Sequence, residues 1–359
     1  MLIARNIKFY PLSLRDAMAP GKELNFIADS FQIQTSAGDM KLMTDLETWD
    51  LLNLAVPTVL EIPERLYGEY GISNTFLDSV MKKYIIQSIS KDTLMDKWGI
   101  STQPVMFVPS TKHYSWPKGA GKCANRQYSS AILLTTRMTR CAAIAGLGSD
   151  NCKNVAVDRD ARMKVDELRK SLQDCLDNKI AVYEVVAVMG TTEEGAVDRL
   201  TEIIAVRDEF KAKGLSFVVH ADAAWGGYFA SMIPNELYGS PDQRDLPDYV
   251  PQVGLRDDTA SELRAMMNAD SITIDPHKAG YVPYPAGSLC YRDGRMRYLL
   301  TWTAPYINQS TDGESIGVYG VEGRYVKDNS LCAFKDLNTL IANLAQPRLQ
   351  STYLTRSLA

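Results

Sequence analysis

Apolar runs alternate with amphipathic stretches through the middle of the chain, and that alternation predicts an α/β protein. Residues 181–189 are nearly continuous in apolar side chains, as a strand buried on both faces of a parallel sheet requires. Residues 163–178 place Val165, Leu168, Leu172 and Leu176 on one face of an amphipathic helix. A second helix over 200–213 leads to an apolar strand that starts at Leu215 and runs into Asp222. Shorter apolar runs predict strands at 104–109, 154–158, 271–274 and 288–291. Helical spacing recurs over 40–100, most clearly over 76–86, and again over 260–267. Strand, helix and strand in this order imply a parallel sheet with right-handed crossovers.

Chemistry gathers where two of these strands end. The 271–274 strand stops at Pro276, which lacks an N–H for the ladder and restricts the residue before it. His277 and Lys278 follow at once, at the strand end where α/β proteins place ligands. An amine desolvated there beside cationic groups becomes a nucleophile for a carbonyl, and the aldehyde of pyridoxal 5'-phosphate (PLP) fits it. The 215–222 strand supplies a carboxylate, Asp222, followed by small residues including Ala224. A carboxylate against a pyridine nitrogen keeps the ring protonated, and small residues let a flat ring lie against the chain. The 181–189 strand ends in Gly190–Thr191–Thr192, where Thr192 is a turn residue or a site residue with equal right.

Composition narrows the class without choosing within it. The chain has 359 residues, 45% hydrophobic and 23% charged, as in ordinary globular proteins with a substantial core. A net charge of −4 without a basic stripe argues against nucleic-acid binding. No apolar run is long enough to span a bilayer, and the first residues lack a signal-peptide core. The 6 cysteines are scattered, show no metal-ligand spacing, and are expected to be reduced thiols in the cytoplasm. The 3 histidines are more telling, because His220 and His277 lie in the two strand-end stretches and His113 opens a third, His113–Tyr114–Ser115–Trp116–Pro117–Lys118.

Two stretches, HADAAWGGYF at 220–229 and SITIDPHKAGYVPYPAG at 271–287, closely resemble the signatures of the PLP-dependent group II amino-acid decarboxylases, and most of all their tyrosine decarboxylase branch. The resemblance implies the aspartate-aminotransferase-like (fold type I) large domain, a mostly parallel sheet with helices on both faces. It implies that Lys278 holds PLP as a Schiff base, that Asp222 faces the pyridine nitrogen, and that His113 stacks on one ring face with Ala224 on the other. It implies further that His277 reaches the phosphate and that Thr192 contacts the cofactor. The ring would then stabilise the charge left when carbon dioxide departs. An acid must return a proton to the former α-carbon. Tyr284 is the first candidate and Tyr306 the second, against the commoner reading of either as a packed aromatic.

The resemblance covers roughly 4–118 and 142–323. Ala4 to Pro11 resembles the end of a family helix and the loop after it; the phosphate-binding loop that precedes that helix in the family is expected to be missing. Residues 119–141 match nothing in the family and read as a surface insertion or as an intron read through in frame. Residues 1–323 are thus expected to form a PLP-binding large domain, with 324–359 a divergent tail and the C-terminal small domain absent. The expected activity is decarboxylation of an aromatic amino acid, tyrosine first, by a cytoplasmic homodimer that binds neither nucleic acid nor membrane. Glutamate decarboxylation, an aldehyde-forming reaction on the same scaffold, and an inactive truncated homologue stay open beside it.

Overall fold

The structure, a computed structural model, describes residues 1–120, 146–233 and 254–299. The candidate acid Tyr306, the 324–359 tail and nearly all of the 119–141 stretch lie outside the described residues.

The strands are β1 (Gln32–Gln34), β2 (Met40–Leu42), β3 (Val105–Pro109), β4 (Cys152–Val155), β5 (Val182–Val188), β6 (Val218–Asp222), β7 (Ser271–Ile274) and β8 (Ser288–Tyr291). The first helices are α1 (Leu2–Ala17), α2 (Thr48–Leu52), α3 (Val56–Tyr70), α4 (Asn74–Met81), α5 (Ile86–Ile89) and α6 (Lys91–Lys97). Then come α7 (Ser115–Ala120), α8 (Val165–Asp177), α9 (Leu200–Ala212) and α10 (Asp257–Ala265). Among the described residues β3 to β8 form a 6-stranded sheet in the order β4-β3-β5-β6-β7-β8. The β4–β3, β3–β5 and β6–β7 pairs are parallel, and β8 closes the row antiparallel to β7. The predicted α/β class with a mostly parallel sheet is therefore the observed one. The chain clusters into two compact units, one made of residues 1–158, 163–186 and 205–219, the other of 159–162, 187–204 and 220 onward.

β5 is buried along its whole length, which is why its sequence shows no polar alternation. The predicted 163–178 helix is α8, whose buried face runs through Val165, Leu168, Leu172 and Cys175, with Leu176 turned to its margin. Two expectations are corrected here. Ala4 to Pro11 is no helix end: α1 continues through Pro11 to Ala17. Pro11 cannot donate to the Ile7 carbonyl, yet burial of Phe9, Leu12 and Leu14 on both sides of it outweighs the lost bond. The helix expected over 76–86 breaks after Met81 into a turn and the short α5. There the Lys83 ammonium and the Tyr84 hydroxyl both donate to Glu23, each at 2.6 Å. These bonds hold the Glu23 carboxyl down to about 2.

In the second unit the carboxyl ends of β6 and β7 lie side by side, with His220 opposite Ser271 and Asp222 opposite Thr273. The Met189 amide just past β5 donates to the Asp222 carbonyl at 2.9 Å, bringing a third strand end to the same place. The turn after β6 needs glycine for this. A Cβ on Gly226 would lie 1.8 Å from the Met189 carbonyl oxygen, and one on Gly227 would lie 2.9 Å from Ile274.

Candidate functional site

The site is built from those strand ends. β6 alternates: Val219 and Ala221 are fully buried on one face, while His220 and Asp222 share the other. Asp222 is half-buried at the last strand position, and Ala224 is half-buried in the turn that follows. That turn is tied to β7, since the Asp275 amide donates to the Ala224 carbonyl at 3.4 Å.

Beyond β7 the chain makes a tight loop. The Lys278 amide donates to the Asp275 carbonyl at 3.0 Å, and the Tyr281 amide to the Lys278 carbonyl at 3.1 Å. Tyr281 takes a left-handed conformation, φ 53°, that a bulky residue adopts only when its surroundings impose it. Gly280 is required beneath it, because a Cβ there would meet the Pro276 carbonyl oxygen at 2.6 Å and the Tyr228 ring at 2.7 Å. Lys278 is half-buried, and its ammonium pairs with the Asp275 carboxylate at 2.8 Å. This corrects one expectation: Lys278 pairs with an anion three residues back, not with a cation. The pair must open before the amine can attack a carbonyl.

His277 is exposed, and its Nδ1 hydrogen bonds with the Ala286 backbone, bracing the far side of the same loop. Tyr284 is exposed on that loop. At the end of β5 the two threonines divide the work. Thr191 is buried and builds the turn, donating to Glu194 at 2.8 Å and accepting from the Ala196 amide at 3.0 Å. Thr192 is exposed. The Asp198 carboxylate closes this loop by accepting from the Val188 amide at 2.7 Å. His113 belongs to the first unit, between β3 and α7. It is exposed, its Nδ1 lies 2.8 Å from the Ser115 hydroxyl, and its ring sits 4.1 Å from that of Tyr114.

The second unit thus gathers Lys278, Asp222, Ala224, His277, Thr192 and Tyr284 around three strand ends and their loops. Two further residues stand in the quoted stretches without a role assigned to them there. Asp275 was signalled by its place three residues before Lys278. His220 was signalled by its place two before Asp222, which puts both on one strand face. The imidazole of His220 is buried, 2.7 Å from the Ser271 hydroxyl at Nδ1 and 3.2 Å from the Thr273 hydroxyl at Nε2. Burial pushes its pKa down to about 3, so it is neutral at physiological pH.

Residues 79–241 match the pyridoxal-dependent decarboxylase conserved domain. That range includes His113, Thr192, His220, Asp222 and Ala224 and stops before Lys278. The chain is 33% identical over 288 residues to an L-tyrosine decarboxylase of Enterococcus faecium, covering 78% of this chain and 41% of the relative. It is 30% identical over 330 residues to the L-tyrosine decarboxylase of Enterococcus faecalis, covering 89% of this chain and 44% of the relative. An aspartate 1-decarboxylase of Aliivibrio fischeri is 30% identical over 186 residues, 52% of this chain and 28% of that one. The chain therefore spans less than half the length of these curated relatives. Among solved structures, rice TDC with PLP and tryptamine aligns with TM-score 0.41 at 18% identity over 73% of this chain and 43% of that one. Mouse CSAD aligns with TM-score 0.39 at 23% identity over 71% and 43%.

Proposed function

We propose that the chain, whose residues 79–241 match the pyridoxal-dependent decarboxylase conserved domain, is the cofactor-holding part of an amino-acid carboxy-lyase acting on an aromatic substrate, tyrosine first. The observation that carries this reading is the pairing of β6 with β7, which presents a carboxylate and an amine at adjacent, parallel strand ends.

The residues present fit PLP by their chemistry. Asp222 is a carboxylate for a pyridine N–H, Lys278 an amine for an aldehyde, and Ala224 a side chain small enough to lie under a flat ring. Thr192 and His277 offer a hydroxyl and an imidazole to the polar substituents. Glycine is required at 190, 226 and 280, where neighbouring backbone, and at 280 also the Tyr228 ring, comes too close for a Cβ. Bound PLP supplies a carbonyl that captures amines and a ring that withdraws electrons from the bond to be broken.

The chain's own residues do the rest. Asp222 holds the proton on the pyridine nitrogen. Lys278, once released from Asp275, would hold the cofactor through its amine. Tyr284, exposed on the loop after Lys278, is the candidate donor of a proton to the carbon that loses the carboxylate. Tyrosine is favoured as substrate because two relatives of at least 30% identity are L-tyrosine decarboxylases. The roles of His113 in stacking, of residues 1–323 as one PLP-binding domain, and of a cytoplasmic homodimer rest on the family resemblance.

Purified chain incubated with PLP and L-tyrosine tests the activity by release of carbon dioxide and tyramine. Tyramine formation that is lost in Lys278→Ala supports the reading. Tyrosine left intact while L-aspartate or L-glutamate is consumed would move the substrate assignment.

A further inference from the structure

We propose that His220 is a positioning residue: its imidazole bridges Ser271 and Thr273 and so fixes the register between the strand that carries Asp222 and the strand that leads to Lys278. The inference rests on the site reading above and adds a residue that acts through two others.

The β6–β7 ladder is short. It consists of His220 opposite Ser271, Ala221 opposite Ile272 and Asp222 opposite Thr273. A parallel ladder of three pairs has little of its own to resist a slip, and a slip of one residue would turn Asp222 to the opposite face. On the face shared by His220 and Asp222, β7 offers two hydroxyls and no bulky apolar group. The imidazole uses both. Nδ1 meets Ser271, directly opposite, at 2.7 Å, and Nε2 meets Thr273, two pairs further along on the same face, at 3.2 Å. A hydrogen bond to the facing residue and another to the next residue on the same face cannot both survive a slip. Thr273 is at the same time the register partner of Asp222, and Lys278 stands five residues beyond it. A neutral ring suits this work, since it donates from one nitrogen and accepts at the other, and each hydroxyl can do either.

Simple core packing would ask only for a ring-shaped side chain at this place. The two hydroxyls at hydrogen-bond distance make a distinction that can be measured. His220→Phe keeps a ring and removes both bonds, whereas His220→Gln keeps two polar atoms at its tip.

The experiment uses the full chain, with folding checked by circular dichroism, and follows PLP by fluorescence titration, by absorbance of the bound form, and by borohydride trapping with peptide mapping. His220→Phe is expected to weaken PLP binding at least about tenfold and to change the absorbance of bound PLP, because a group displaced by even about 1 Å loses much of its effect. His220→Gln is expected to restore the wild-type spectrum. A folded His220→Phe with wild-type affinity and spectrum overturns the proposal. If His220→Phe does not fold, the Ser271→Ala, Thr273→Val double variant removes the partners instead, and an unchanged spectrum there overturns it equally. If the wild type captures no PLP, the site reading fails, and amide hydrogen exchange over 271–274 decides the register claim. Faster exchange in His220→Phe, restored in His220→Gln, supports it; equal protection in all three rejects it.

Discussion

At the residue scale, the side chain that defines the site is held by a neighbour that opposes its use. Lys278 is tied to Asp275 across 2.8 Å. A half-buried pair of this kind is worth more than an exposed one but can still open. Asp275→Asn is therefore expected to accelerate capture of PLP several-fold, measured as the rate at which the bound-cofactor absorbance appears; equal rates would mean the pair is no barrier. Asp222 gives a contrasting expectation. Asp222→Asn leaves the shape and removes the charge that holds a proton on the ring nitrogen. Retained PLP with decarboxylation reduced by about a hundredfold or more is expected, the scale seen when one preorganised electrostatic group is removed. An unimpaired Asp222→Asn would place the ring elsewhere. The sequence put Asp222 at the end of one apolar strand and Lys278 a few residues past another, and the structure has them in those places. Asp275 and His220 were given no role there, since their importance lies in which neighbours the fold gives them.

At the element scale, close backbone contact and buried charge make distinct demands. The ends of β5 and β6 touch through glycine: Gly226→Ala would drive a Cβ to 1.8 Å from the Met189 carbonyl. A loss of about 2–4 kcal/mol in urea unfolding is expected, as for other substitutions that force backbone apart. In the first unit α1 buries Lys8, whose ammonium donates to Asn53 at 3.2 Å and to the Ser216 carbonyl. Burial pushes its pKa down from 10.5 to about 7. Between those values the unfolded chain holds a proton that the folded chain does not, so Lys8 makes stability rise as pH rises through that window. The slope is at most about 1.4 kcal/mol per pH unit. Lys8→Met should remove that slope, whatever it does to stability at one pH; parallel pH profiles for the two proteins would show that Lys8 is not buried as described. Strand positions were read well from sequence because β5, β7 and β8 are bounded by changes in hydrophobicity or by proline. The continuation of α1 through Pro11 and the break after Met81 were not. Each depends on burial or on an ion pair with a distant residue, Glu23 in the second case, which local pattern does not contain.

At the scale of the whole molecule, the α/β class and the order of strands and helices followed from the pattern of apolar runs. The decarboxylase resemblance followed from two short stretches and agrees with the family match over 79–241. What pattern alone could not supply was the sheet order, which sets β6 beside β7 and so brings Asp222 and Lys278 to neighbouring strand ends. Their separation in sequence is large, and only the crossover between them makes them neighbours. The central claim is that these two strand ends hold PLP through Lys278. The most direct test is borohydride reduction of the chain after incubation with PLP, followed by peptide mapping. A pyridoxyl group on Lys278, absent in Lys278→Ala, is the expected result. A folded chain that carries no pyridoxyl group, or carries it on another lysine, would contradict it.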